Sequence, residues 1–334
     1  MKPTFLIAGK LQREYILPPS GPAVIDKPGG NLLYTAGGLV VWDTRASLVA
    51  RVGNDYPLEW LEGLKTRGLD IQGIRIQPFP IDLRSFISYT EKNERSQTNA
   101  VSHFAKRQIQ FPKSLLGYQP PDETKIDPKE IDPVSPTALD VPREFRDISH
   151  VHICPLDFTS QSQLVNLFRG GSNQTVSLDP ASNYMNPVFW RDLRLVLQGV
   201  KIFLPSEEEI RALFWGETND LWDMAKMISD YGPQIVVIKR GALGQIVYDA
   251  VENKKYEIPA YASRVGNPTG AGDAFCGGFL AGHQKTNHPL TAALYGSVSA
   301  SLKIEGNGPF HALEVMPGLA EARLHALEQI AREV

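Results

Sequence analysis

Short apolar runs alternate with longer amphipathic stretches along most of the chain. TFLIAG, SLVARVG, HVHICP, TVSLDP, KIFLPS and QIVVIKRG are rich in β-branched residues and end in Gly, Pro or Ser. Runs of that length bounded by turn residues predict strands buried on both faces. Between them, PLEWLEGLKTRGL, SQLVNLFRG and DLWDMAKMISDYG predict amphipathic helices. The alternation predicts an α/β fold, a doubly wound and mostly parallel sheet flanked by helices. In such sheets ligands bind beyond the carboxyl ends of the strands.

Two segments break the rhythm. Residues 75–106 carry strand-like pieces around TEKNERS and no clear helix, which predicts a small antiparallel β-sheet joined by residues 10–30. Residues 108–142 hold seven prolines. Proline removes a donor and blocks helix continuation, so this stretch predicts an irregular surface excursion, either disordered or wrapped around the body. The expected division is a core of residues 1–9, 31–74 and 107–334, with a lid of residues 10–30 and 75–106.

NPTGAGDAFCGGF, from Asn267 to Phe279, places four glycines and an aspartate beside helix-like apolar residues. Glycine inside a helix costs about 1 kcal/mol relative to alanine, so the cluster needs a reason. If a helix begins near Ala271, the N–H groups of Gly270, Ala271, Gly272 and Asp273 converge where the helix dipole favours an anion. Asp273 would repel a bound phosphate, but it makes sense there if it takes a proton from an attacking hydroxyl. The plainer alternative is that Asp273 complements the positive helix end and the glycines allow close packing.

NPTGAGDAFCGGFLAG resembles the carboxy-terminal signature of the ribokinase family, the PfkB-type carbohydrate kinases, written D-T-x-G-A-G-D. PGGNLLYTAGGLVVWDTRASLVARVGND is similar to the family's G-G segment and following strand. LDIQGI resembles the stretch before its lid strands, KIFLPSEEEI its N-x-x-E region, and VVIKRGALGQIVYD its G-x-x-G strand–turn–strand. The resemblance covers nearly the whole chain except the proline-rich excursion. It implies an ATP-dependent, magnesium-requiring kinase with a β-sheet lid. Asp273 would be the catalytic base, and Gly270, Ala271 and Gly272 the anion hole. Lys239, Gly241 and Gly244 would line the nucleotide phosphates, with Ser297 near the adenine. Glu209 would act on Mg2+ through water. The carbonyls of Asn267 and Thr269 would hold a monovalent cation, K+, as in potassium-dependent members. Glu14, Gly30, Asn31 and Tyr34 would face the acceptor.

The departures from the family pattern cluster. Glu14 stands for the aspartate on the first strand, Tyr34 for the asparagine of the G-G segment, Ser206 for the asparagine of N-x-x-E, and Asn267 for the first aspartate of the signature. Three readings follow: a kinase of a sugar or sugar derivative, a nucleoside kinase with Tyr34 stacked on the base, or a nucleotide-binding relative that does no chemistry.

Composition changes this little. A net charge of -3 argues against nucleic acid or an anionic membrane as a main partner. No apolar stretch approaches the roughly 20 residues of a membrane span. Two cysteines in 334 residues do not form a disulfide framework. The opening apolar run reads as a first strand, so a cytoplasmic location is the default and the sequon Asn173-Gln174-Thr175 is idle. His150 and His152 lack a third ligand and read as ordinary strand residues. No P-loop motif or G-x-S-x-G elbow occurs. The lid, with exposed edges and an apolar face, invites a homodimer.

Overall fold

The strands that begin as continuous apolar runs divide their side chains between two helical layers. In the computed structural model, which describes residues 4–42, 44–120, 127–171 and 174–334, the strands are β1 (Phe5–Ala8), β2 (Gln12–Leu17), β3 (Val24–Gly29), β4 (Ala46–Val52), β5 (Asp70–Ile76), β6 (Arg84–Tyr89), β7 (Arg95–Ser96), β8 (His150–Ile153), β9 (Thr175–Leu178), β10 (Ile202–Phe203), β11 (Ile235–Lys239), β12 (Gln245–Asp249), β13 (Lys254–Ile258) and β14 (Arg332–Glu333). The helices are α1 (Asn31–Val40), α2 (Leu58–Lys65), α3 (Ala100–Lys106), α4 (Phe158–Phe168), α5 (Trp190–Leu197), α6 (Glu207–Leu213), α7 (Leu221–Ser229), α8 (Ala271–Thr286), α9 (Pro289–Lys303) and α10 (Leu319–Glu328). Residues 121–126 of the proline-rich segment and Asn173 of the sequon lie outside the described residues.

The main sheet runs β14-β13-β12-β11-β10-β9-β8-β1-β4-β5. Every pairing from β11 to β5 is parallel, and β12 to β14 add an antiparallel edge. Leu6, Ala8, Val236 and Ile238 face a core built with α4, α5, α6 and α7. The alternate residues face the other way: Phe5 and Ile7 pack with α1 and α2, and Ile235 and Val237 pack with α8 and α9. This period-2 division explains why the strands read as unbroken apolar runs.

The second sheet runs β3-β2-β6-β7. Its outer pairs are antiparallel, but β2 and β6 pair in parallel, so the expected antiparallel sheet is mixed. The reason is topological. β2 follows β1 and β6 follows β5, and both leave the same carboxyl edge of a parallel sheet in the same direction. Tyr15, Leu17 and Phe86 on one face are covered by Phe104 of α3 and by Leu115. Ile16, Val24, Ile87 and Tyr89 form the other face. The stretch expected to hold no helix therefore contains α3, seven residues long and too short to show a period. One apolar face of this sheet is thus covered from within the chain.

The proline-rich segment wraps the body where it is described. Ile109, Phe111 and Tyr118 pack under the lid. Farther on, Arg51 Nε donates to Asp140 Oδ2 at 2.8 Å, and Val141 and Phe145 enter the core.

The glycine cluster has a packing half. A Cβ on Gly277 would lie 1.9 Å from the Thr35 carbonyl of α1, and one on Gly278 would lie 2.4 Å from Ser299 Oγ of α9. Gly38 of α1 meets the Ala274 carbonyl in the same way, at 2.0 Å. The three helices cross at backbone contact. Gly277→Ala is therefore expected to destabilise the fold by roughly 1–3 kcal/mol in urea denaturation. Gly63→Ala on α2, whose Cβ would make only an ordinary 3.6 Å contact with Arg67 Nη1, is expected to stabilise it by up to about 1 kcal/mol.

Candidate active site

A cleft of about 460 Å³ opens at the carboxyl ends of the parallel strands. Lys10 follows β1, Pro155 follows β8, Asp179 follows β9, Ser206 follows β10 and Lys239 ends β11. β1 lies between β8 and β4, where the strand order reverses, the place where open α/β sheets hold ligands. Ile87, Tyr89 and Arg95 of the lid line the opposite side.

The amino end of α8 enters this cleft. Gly270 has φ +75°, and a Cβ there would lie 2.1 Å from Cγ of Tyr34, so both conformation and space require glycine. The Asn267 side chain shapes the loop: Oδ1 accepts from the Thr269 N–H at 3.1 Å and Nδ2 donates to Asn307 Oδ1 at 2.9 Å. The Ala271 N–H is spent on the Pro268 carbonyl at 3.2 Å. Among the described residues, no backbone carbonyl accepts from the N–H of Gly272 or Asp273. Nor does any accept from the Gly270 N–H, so three of the four amides expected to converge are left to a ligand. Asp273 lines the cleft and is half-buried. Burial pushes its carboxyl above the usual value, against the pull of Lys239, Arg95 and Lys303.

Lys239 Nζ donates to Asp179 Oδ2 at 2.6 Å, and Cys276 Sγ donates to the same oxygen at 3.4 Å. Burial works against the Lys239 ammonium, but the Asp179 carboxylate outweighs it and holds the lysine above its ordinary value. The ammonium stands beside Gly272, 3.8 Å from where a Cβ would be. Sequence reading missed Asp179, which stands near the end of the strand run TVSLDP. The available signal was an acid at the end of one parallel strand with a lysine at the end of another.

On the acceptor side the expected residues are brought together, but their polar atoms are largely spent on one another. Glu14 is 2% exposed. Its Oε1 accepts from the Gly30 N–H at 2.9 Å and its Oε2 from the Tyr34 hydroxyl at 2.6 Å. Burial pushes the Glu14 carboxyl up, and these two donors oppose the shift. Tyr34 is 1% exposed and presents no ring face for a base to stack on. Asn31 Oδ1 accepts from the Lys10 N–H at 2.7 Å while Nδ2 donates to the Pro155 carbonyl at 2.8 Å, joining β1, α1 and β8. The side chains of Gln12 and Arg95, which sequence reading passed over, line the cleft beside them.

Glu209 also lines the cleft, as does Gly241, while serving its helix: Oε2 accepts from the Ser206 N–H at 2.7 Å and Oε1 from the Ser182 hydroxyl at 2.9 Å. Thr269 borders the cleft and its hydroxyl meets the Tyr89 hydroxyl at 3.1 Å. Gly244 and Ser297 stand away from it. Gly244, with φ +85°, makes the turn into β12, and Ser297 Oγ accepts from Gln245 Nε2 at 2.6 Å. A separate cavity of about 340 Å³ adjoins them, bounded by Leu243, Gln245 and Pro259. His152 is buried against Ser177, and burial lowers its pKa to about 3. No group of three metal-ligating side chains occurs among the described residues.

A second cavity of about 680 Å³ shares Lys10, Gln12, Arg95 and Pro155 with the first. It extends to Asp157 and Asn183 and is walled by residues 130–134 of the proline-rich segment.

Residues 160–315 match the family described as pfkB family carbohydrate kinase. The chain is 27% identical over 282 residues to a cytidine kinase of Thermococcus kodakarensis, covering 84% of this chain and 88% of that protein. It is 30% identical over 189 residues to an uncharacterized sugar kinase of Archaeoglobus fulgidus, covering 55% of this chain and 71% of that one. The fold superimposes with a TM-score of 0.67 on a fructokinase of Vibrio cholerae solved with fructose, ADP and a calcium ion, at 19% identity, over 97% of this chain and 98% of the other. The chain belongs to the pfkB family of carbohydrate kinases. It is a phosphotransferase with an alcohol group as acceptor, a sugar or nucleoside kinase.

Gly270→Ala is expected to cost roughly 1–3 kcal/mol for the left-handed backbone alone, with a further loss from the Tyr34 contact. Gly272→Ala, whose Cβ has room, is expected to melt near the wild-type temperature. Equal losses in thermal unfolding would contradict this geometry.

Proposed function

We propose that the protein transfers the γ-phosphoryl group of ATP to a hydroxyl on the sugar ring of a nucleoside. The observation that carries the transfer is the meeting, in one cleft, of the Asp273 carboxylate, the unspent amides of Gly272 and Asp273, and the Lys239 ammonium. Asp273 takes the proton of the attacking hydroxyl as the oxygen–phosphorus bond forms. Burial makes it a stronger base than an exposed carboxylate. The amides and Lys239 receive the charge of the migrating phosphoryl group, where exclusion of water makes each such donor worth about 3 kcal/mol. Lid residues Ile87, Tyr89 and Arg95 bound the cleft and would exclude competing water on closure.

The carboxylates of Glu209 and Asp179 supply hard oxygen donors on the cleft wall without forming a cage. That suits Mg2+, which keeps much of its water shell, with Glu209 acting through water. Bound with ATP, the ion would neutralise phosphate charge. Gly241 would approach the phosphates, with Gly244, Ser297 and the exposed Leu243 toward the adenine.

Two observations favour a nucleoside over a free monosaccharide. The second cavity continues the cleft beyond Gln12 and Arg95 and has room for a base, and the relative matched over 84% of the chain is a cytidine kinase. Tyr34 has no part in base stacking in this reading.

Acceptor-dependent ADP formation tests it, with cytidine and other nucleosides compared against ribose and fructose. Nucleosides are expected to turn over with the higher kcat/KM. Preference for ribose or fructose would return the reading to a sugar kinase, and tight ATP binding without turnover of any acceptor would leave a nucleotide binder. Asp273→Asn is expected to lower kcat by about 10²–10⁴-fold with ATP affinity retained. Because Asp273 must be ionised to act, the wild-type rate falls as pH drops through its raised pKa; the residual activity of Asp273→Asn lacks that limb.

A further inference from the structure

We infer that Lys303 supplies, as part of the chain, the positive charge that a bound monovalent cation would otherwise bring to the loop before α8, and that the protein works without K+. This rests on the reading of α8 as the phosphoryl-binding end of the cleft.

Lys303 is the last residue of α9 and is fully buried at 0% exposure. A buried ammonium is costly unless it is paired and hydrogen-bonded. Its Nζ donates to the Asn267 carbonyl at 2.8 Å and stands 5.0 Å from the centroid of the Tyr34 ring, within reach of a cation–π attraction. Burial lowers its pKa to about 8, while Glu14 and Asp273 act in the opposite direction. A carbonyl oxygen and a ring face are the partners an ammonium takes.

Of the two carbonyls expected to hold K+, that of Asn267 is already taken, which leaves that of Thr269 without its companion. The Asn267 carbonyl already accepts from an ammonium, and both polar ends of the Asn267 side chain are spent on Thr269 and Asn307. The adjoining Ile304 carbonyl accepts from the N–H groups of Gly266 and Asn267. A second cation at that carbonyl would face Lys303 across a few ångströms of low-dielectric interior. The replacement of the family's aspartate by Asn267 agrees with this, because the neutral amide holds the loop while Lys303 carries the charge. Lys303 is a positioning residue. It fixes the carbonyl three residues before Gly270 and adds a positive field behind the amides that follow.

Thermal unfolding and ATP affinity of the full chain, measured in equal concentrations of KCl and choline chloride, test the inference without needing an acceptor. The wild type is expected to give the same melting temperature and the same affinity, within twofold, in both salts. Lys303→Met is expected to melt lower in choline and to recover part of the loss in KCl, a rescue that a merely structural lysine would not show. A wild type whose ATP affinity or melting temperature rises in KCl over choline overturns the inference. So does a folded Lys303→Met that is indifferent to K+. If Lys303→Met does not fold, the wild-type comparison decides alone. With a turned-over acceptor in hand, wild-type rates within twofold in the two salts are expected, and tenfold activation by K+ overturns it. Failure to find an acceptor would count against the proposed function and leave the melting and affinity results to judge Lys303.

Discussion

The contact between the Tyr34 ring and the backbone of Gly270 ties together the elements that make the cleft. It requires a residue without a Cβ, in a conformation that glycine adopts freely. From it a line of buried contacts runs outward. The Tyr34 hydroxyl reaches Glu14 on β2, Glu14 reaches the Gly30 N–H at the start of α1, and Lys303 of α9 stands over the ring. Lid, core and the amino end of α8 are thus held by side chains that have little freedom to move. A buried polar network of this kind rigidifies when its members are satisfied, and loses most when one is removed.

The same line explains why the departures from the family pattern fall where they do. Glu14 and Tyr34 each looked like an altered contact to the acceptor. In the folded chain they touch, with the tyrosine hydroxyl donating to the carboxylate at 2.6 Å, so the two changes satisfy one another. The longer glutamate arm reaches the hydroxyl and the Gly30 amide together. Asn267 forms a second pairing of the same sort with Lys303, as a carbonyl and a neutral amide side chain beside a buried ammonium. Gln12 and Arg95 remain on the cleft wall, with the second cavity behind them.

Charge is arranged so that most carboxylates near the cleft have a close partner. Asp179 holds Lys239, Glu209 closes its own helix, and Glu14 is met by two donors. Asp273 is the exception, since the cations around it act at longer range. The helix dipole favours an acid in the first turn of α8, and the lack of a close partner leaves its carboxylate open to the task proposed for it.

Much of this was legible in the residues themselves. The parallel sheet could be read because strands buried on both faces are apolar at nearly every position, as in β1 and in β11 up to Lys239. The amino end of α8 could be read because an αL turn and a ligand-facing helix end both need glycine within a few residues. The lid was legible as strands but not in its pairing, because direction is set by which edge of the core each strand leaves. Helix α3 was hidden by its length. The last glycines of the cluster, Gly277 and Gly278, were legible as candidates for close packing but their partners were not, because the Thr35 carbonyl and Ser299 that they meet come from α1 and α9. The pairing of Asp179 with Lys239, the place of Lys303 and the partnership of Glu14 with Tyr34 were not read. Each depends on side chains 20 to 60 residues apart in the chain. Local spacing determines what a segment can become. Only the packed interior decides which buried charge finds which partner, because the cost of leaving one unpaired arises only once water has been excluded.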